Sequence, residues 1–267
     1  MKLFHIDAFT EEIFKGNPAA VCWVEESLNE KYMQQLASEL NLSETAFIAS
    51  TEKGFSLRWF TPAREVPLCG HATLASAFVL FETNKADKQQ PVTFHTLSGE
   101  LHVNYLSNGA LMMDFPTQQP QVLSGVDFSV YEKALGCEIK EVLSVPNELM
   151  IVLKSAEDLR RLNPPADVLA SWAENGVMVT AWEGHNGLDF MSRYFAPNLG
   201  IKEDPVTGFM HTILTPYWAA QTGRKEFAAY QASPRGGHLH LRLVGDRIQI
   251  EGKAIKVYET DVPVFSV

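Results

Sequence analysis

The chain has 267 residues, 46% of them apolar and 20% charged, the balance of a globular protein with a core of its own and not of a disordered segment. Lys and Arg number 22 against 32 Asp and Glu, a formal net charge of −10, which repels polyanions and argues against nucleic acid as a partner. The three cysteines, Cys22, Cys69 and Cys137, are odd in number and lack CxxC spacing, which argues against a disulfide framework and a structural zinc site and fits a reducing cytoplasm.

In chain order, MKLFHIDAFT reads as a first strand, because His5 and Asp7 interrupt the apolar run a secretory signal needs. No stretch approaches the roughly 18 apolar residues that span a bilayer, so no membrane partner is expected. NPAAVCWV is a second strand, LNEKYMQQLASEL an amphipathic helix ending near Leu40, and TAFIA a strand, with Glu44 between the last two. A further strand ends at Phe60-Thr61-Pro62, a loop follows, and Gly70 opens ATLASAFVLF, a segment apolar on nearly every side and therefore a buried helix. LHVNYL alternates with the period of two of a half-buried strand. FPTQQPQ, with two prolines among polar residues, reads as a linker. It divides a first half, residues 1–117, from a second, residues 122–267, whose final strand is free to pack back on the first.

The second half repeats the first. LRWFTPAREVPLCGHATLASAFVLF matches SRYFAPNLGIKEDPVTGFMHTILTPYWAA, with Phe60 and Phe195 135 residues apart and Gly70 and Gly208 138 apart, the difference being a three-residue insertion. SGELHVNYL and RGGHLHLRL keep the offset of 138. Ordered pairs at nearly constant spacing indicate duplication. The expected fold is α+β, two pseudo-symmetric halves, each a mixed sheet or barrel wrapped around a central buried helix. Pro216 is expected to kink the second helix or to confine the turn before it to a helix start.

A glycine at each helix start, Gly70 and Gly208, lets a ligand approach the backbone, and unpaired N–H groups there favour an anion. Halves related by a pseudo-twofold would bring both starts to one cleft and hold a carboxylate there, although each glycine alone could simply relieve helix–strand packing. His71 follows Gly70 where the helix dipole disfavours protonation, and a core histidine is the alternative. Its repeat partner is Phe209, so the symmetry breaks where a catalytic group would stand. Asp204, four residues before Gly208, reads equally as a turn former before Pro205. Glu44, if shielded at its strand edge, would have the raised pKa of a general acid–base; otherwise it is a surface charge at a helix end. Cys69 could act as a thiolate at a helix start, but its counterpart Thr207 excludes a mechanism with one thiol from each half. His238 and His240 share a strand face without further ligands, so no metal is expected. GxGxxG, GxxxxGK and GxSxG are all missing from the sequence.

HIDAFTEEIFKGNPAAV, NLSETAFI, RWFTPAREVPLCGHATLASA, DPVTG and SPRGG, taken together and in this order, resemble the PhzF family of phenazine-biosynthesis isomerases over essentially the whole chain. The resemblance implies the diaminopimelate epimerase-like fold. It matches Glu44 to the family's catalytic glutamate, His71 and Asp204 to its assisting residues, and Gly70 and Gly208 to backbone positions at the substrate carboxylate. Asn17 and Phe209 join these as substrate-binding candidates. Characterised members isomerise a dihydro-hydroxyanthranilate by moving a proton between carbons, without metal or organic cofactor, and are typically homodimers. Phe209 departs from the small residue, often Ser, that usually follows the DPVTG glycine, and so bears on the substrate. The expectation is a cofactor-independent isomerase of a small carboxylate-bearing substrate. Its rivals are a non-catalytic binding member of the same fold and an amino-acid epimerase using Glu44 and Asp204 as unlike bases.

Overall fold

The computed structural model describes residues 1–25 and 28–264. The chain forms two compact units, Met1–Asp114 with Glu251–Val267, and Phe115–Ile250, each a mixed sheet around one buried helix, as the α+β reading expects. The first runs through β1 (Lys2–Ala8), β2 (Asn17–Val24), α1 (Glu30–Leu40), β3 (Glu44–Thr51), β4 (Gly54–Phe60), β5 (Glu65–Val66), α2 (Gly70–Glu82), β6 (Val92–Thr96), β7 (Gly99–Tyr105) and β8 (Leu111–Pro116). The second continues with β9 (Gln121–Val122), α3 (Ser129–Leu135), β10 (Ile139–Val145), β11 (Glu148–Leu153), α4 (Ala156–Arg161), α5 (Ala166–Ala170), β12 (Gly176–Trp182), β13 (Phe190–Ala196), β14 (Ile201–Asp204), α6 (Gly208–Thr222), β15 (Glu226–Gln231), β16 (Gly237–Val244) and β17 (Arg247–Gly252). The last strand, β18 (Ala254–Asp261), pairs antiparallel with β1 in the first unit.

The strand pairings of the two units repeat in kind and order. In the first, β1–β2 is antiparallel, β2–β3 parallel, β3–β4 antiparallel, β4–β6 parallel and β6–β7 antiparallel. In the second, β10–β11, β11–β12, β12–β13, β13–β15 and β15–β16 follow the same alternation. The insertion read from the spacing falls between β13 and β14, where Pro197–Leu199 form a single 3₁₀ turn.

Both central helices are buried on nearly every face, which their lack of a polar side requires. Pro216 corrects one expectation: it lies inside α6 and does not confine the preceding turn to a helix start. A proline there withholds the N–H that the carbonyl four residues earlier would accept. That carbonyl belongs to Thr212, and it accepts instead from the Gln118 N–H at 3.1 Å, so the backbone remains satisfied. Among the described residues no helix is long and apolar enough to cross a membrane.

Candidate active site

In the first unit, the end of α1 delivers Glu44. Asn41 closes the helix in the left-handed conformation, φ 50°, with its N–H on the Ala37 carbonyl, a conformation asparagine tolerates better than most residues. Leu42 and Ser43 then turn the chain into β3, whose first residue, Glu44, sits beside Ala19 of β2. Asn17 opens β2 fully buried, its Oδ1 accepting from the Ser43 hydroxyl at 3.4 Å. The glycine before it is obligatory, since Gly16 has φ +62° and a Cβ there would collide with the Ala8 carbonyl.

Cys69 caps α2 with extended backbone, and Gly70 and His71 form the first turn. The His71 imidazole lies between two partners. Its Nε2 is 3.3 Å from Glu44 Oε2, with the two side chains 7% and 15% exposed, and its Nδ1 is 3.5 Å from Cys69 Sγ. Nε2 and the Glu44 oxygen are close, yet Nε2 completes no hydrogen bond. Burial holds the imidazole down to about 3, so at neutral pH the ring is uncharged, one nitrogen a donor and the other an acceptor.

In the second unit, Asp204 ends β14 beside Tyr194 of β13. Its neighbour Glu203 pairs with Arg193 through two bonds of 2.7 Å, while Arg193 Nη1 donates to the Leu159 and Leu162 carbonyls. This nearly buried clamp fixes β14 to β13 and to the end of α4. The Thr207 hydroxyl donates to Asp204 Oδ2 at 2.5 Å. Gln231, fully buried at the end of β15, then locks the loop. Its Oε1 accepts the Thr207 N–H at 2.7 Å, and its Nε2 donates to the Asp204 carbonyl at 2.8 Å and to Thr207 Oγ1 at 3.1 Å. The Thr207 proton is therefore committed to Asp204, which is held as an acceptor. Gln231→Leu removes all three of these bonds to the loop and should lower unfolding stability by roughly 2–3 kcal/mol, read as a lower urea midpoint; an unchanged midpoint would mean that the loop holds itself.

Gly208 is buried at the start of α6, and Phe209 is 39% exposed. His211, one turn on, is a core histidine: Nδ1 bonds the Thr207 carbonyl at 2.8 Å, Nε2 lies 3.4 Å from Ser192 Oγ, and burial lowers its pKa to about 4. The structure thus gathers Asn17, Glu44, Cys69, Gly70 and His71 in one unit and Asp204, Thr207, Gly208 and Phe209 in the other. Gln231 carried no sign of its role in AYQASP, because that role depends on where β15 ends relative to the DPVTG loop.

Glu44, Cys69 and His71 offer donor atoms within 4.8 Å of one another, a set that by composition could hold a metal ion. The thiol and the carboxylate face different nitrogens of the same ring, however, and an ion bound at one nitrogen is turned away from the partner of the other. His238 and His240 are exposed on β16, and the His238 ring packs 4.7 Å from that of Tyr230. A cavity of about 330 Å³ in the second unit is walled by Phe195, Glu203, Pro205, Pro234 and Arg235 among others, and Asp204 does not line it.

Residues 6–260 match the family model described as phenazine biosynthesis-like protein, PhzC-PhzF. A protein of Halalkalibacterium halodurans named an uncharacterized isomerase is 42% identical over 264 residues, covering 97% of each chain. The crystal structure of a PhzF family protein from Enterococcus faecalis superposes with a TM-score of 0.92 at 40% identity, over 98% of this chain and 99% of that one. A hydroxyproline epimerase from Agrobacterium vitis shares the fold, with a TM-score of 0.63 at 10% identity over 97% of this chain and 91% of its own.

Proposed function

We propose the following reaction on the premise that the chain belongs to the phenazine biosynthesis-like family and is an isomerase: Glu44 takes a proton from an activated carbon of a small carboxylate-bearing substrate and returns it at a conjugated position. The observation that carries this reading is the Glu44–His71 pair, two nearly buried side chains 3.3 Å apart at the first turn of a buried helix. A shielded carboxylate can serve as base and then as acid if it reaches both carbons. The neutral His71 orients it and the substrate's polar groups, and Asp204, held ready by Thr207 and Gln231, contributes a second fixed acceptor. The amides at Gly70 and Gly208 receive the substrate carboxylate and the charge that develops on it. No metal or organic cofactor enters this scheme. The working assembly is taken to be a homodimer in a reducing cytoplasm.

A second reading, a binding protein that retains the fold without the reaction, is favoured by Phe209, a large ring at the start of α6. The two are separated by a thermal-shift screen of small cyclic and aromatic carboxylates against the wild type and Phe209→Ser, followed by proton exchange in deuterated solvent. A ligand at 100 times its Kd stabilises by about 2.7 kcal/mol, which raises the midpoint of a chain this size by roughly 5–10 °C. The isomerase reading expects a wild-type hit whose carbon-bound hydrogen exchanges with solvent. Hits confined to Phe209→Ser, none of them exchanging, would transfer the case to the binding protein.

A further inference from the structure

The contacts of His71 on its second side support an inference separate from the isomerase reaction. Cys69 Sγ, His71 Nδ1, His71 Nε2 and Glu44 Oε2 follow one another at 3.5 Å, across the ring, and at 3.3 Å. A thiol, an imidazole and a carboxylate in that order are the groups that activate a sulfur nucleophile: the base takes the thiol proton and the acid's anion steadies the imidazolium. Three further features converge on the sulfur. Cys69 is the N-cap of the 13-residue helix α2 and uses no side-chain bond to cap it, so the helix start favours negative charge where the sulfur sits. His71 is 95% buried by its 5% exposure, and its Nε2 completes no hydrogen bond; once Nδ1 has accepted the thiol proton, Nε2–H faces Glu44. Burial keeps the resting ring neutral, so a proton accepted at Nδ1 is held only because Glu44 stands 3.3 Å from Nε2 to balance the charge.

We propose that Cys69 is a nucleophilic thiol, activated through His71 and Glu44, and a covalent modification site for small soft electrophiles, those bearing a carboxylate above all. With a haloacid the sulfur forms a bond to the carbon, the carbon–halogen bond breaks, halide leaves, and the thiol proton passes to His71 Nδ1. A carboxylate on the electrophile is drawn by the same α2 amides that favour the thiolate. Attachment of such a group beside His71 and Glu44 occupies the site proposed for the isomerase reaction, the one point at which this inference rests on that reading.

Exposure alone makes the opposite forecast. Cys137 is the more accessible thiol, while Cys69 is 7% exposed and Cys22 fully buried. Burial and the nearby Asp158 and Glu132, however, push the Cys137 thiol up to about 11, and burial pushes Cys22 higher still.

The experiment is timed alkylation of the whole protein at pH 7 with iodoacetate and, in parallel, iodoacetamide, followed by peptide mass mapping of all three cysteines in the same sample. Cys69 is expected to react at least about tenfold faster than Cys137, and to prefer iodoacetate over iodoacetamide relative to a small free thiol. Glu44→Gln and His71→Asn should each slow Cys69 about tenfold and leave Cys137 unchanged. The Cys137 rate reports in every sample whether the variant is folded. Cys137 reacting first, Cys69 not reacting at all, or a Cys69 rate indifferent to both substitutions overturns the proposal. None of these readouts requires the isomerase substrate, so this proposal and the isomerase reading fail separately.

Discussion

Glu44→Gln is expected to lose turnover by about 10³-fold or more while its thermal midpoint and its ligand-induced shift stay those of the wild type. Glutamine keeps the size of glutamate and an oxygen able to accept a bond, so Asn17, Ser43 and the β2–β3 pairing have no reason to move. What it cannot do is take and return a proton. Acid–base groups each contribute about 10²–10⁴-fold, and in the proposed scheme one carboxylate serves both halves of the transfer, which sets the expected loss at the upper part of that range. The measurement is the rate of solvent-deuterium incorporation into a carboxylate identified by the thermal-shift screen, followed for wild type and variant at equal occupancy. Exchange within tenfold of wild type would move the acid–base role off Glu44, with Asp204 the next carboxylate to test. A variant that also loses ligand binding would mean that Glu44 holds the substrate instead of reacting with it.

Much of this architecture is legible in the sequence because burial leaves a strong pattern. ATLASAFVLF and HTILTPYWAA have no polar side, so they had to be central, and the Phe-x-Pro and glycine spacing before each exposed the repeat. Glu44 and His71 are harder. They lie 27 positions apart in the sequence, and only the resemblance to a known family joined them in advance; the residues alone left a surface carboxylate and a core histidine equally open. Other features depend on tertiary contacts that no local pattern encodes. The expectation for Pro216 rested on its missing N–H, and the carbonyl it frees finds Gln118 from a distant segment. Gln231 and Glu148 each stand in an apolar run and read as ordinary strand residues, yet one holds the Asp204 loop and the other is a buried acid.

Glu148 is the site of the second large expected effect. It opens β11 almost fully buried, accepts from the Tyr194 hydroxyl at 3.1 and 3.0 Å, and has its pKa raised to about 7 by burial, against 4.5 for an ordinary glutamate. The sign of the consequence follows from proton counting. Between pH 4.5 and 7 the unfolded chain has released this proton and the folded chain still holds it, so stability is fully present below the lower value, falls as pH rises, and levels off above the upper one. The loss amounts to roughly 3 kcal/mol. Glu148→Gln keeps an acceptor for Tyr194 and removes the titration, so at pH 8 it should be more stable than wild type by that amount, with a midpoint higher by roughly 4–10 °C. The two proteins should converge near pH 4.5. Equal pH profiles in thermal or urea unfolding would sink the claim. The register of the repeat gives this acid its context. Thr45 pairs with Phe60 and Val177 with Phe195, so the residue equivalent to Glu44 is Gly176, where a Cβ would collide with the Tyr194 ring. Across the parallel pair, Ala19 faces Glu44 in the first unit and Glu148 faces Gly176 in the second. Each unit thus carries a nearly buried carboxylate at the head of its central parallel strands, on opposite strands of the pair. The one beside a neutral histidine is the carboxylate proposed to exchange its proton with a substrate, whereas the one capped by a tyrosine keeps its proton until neutral pH.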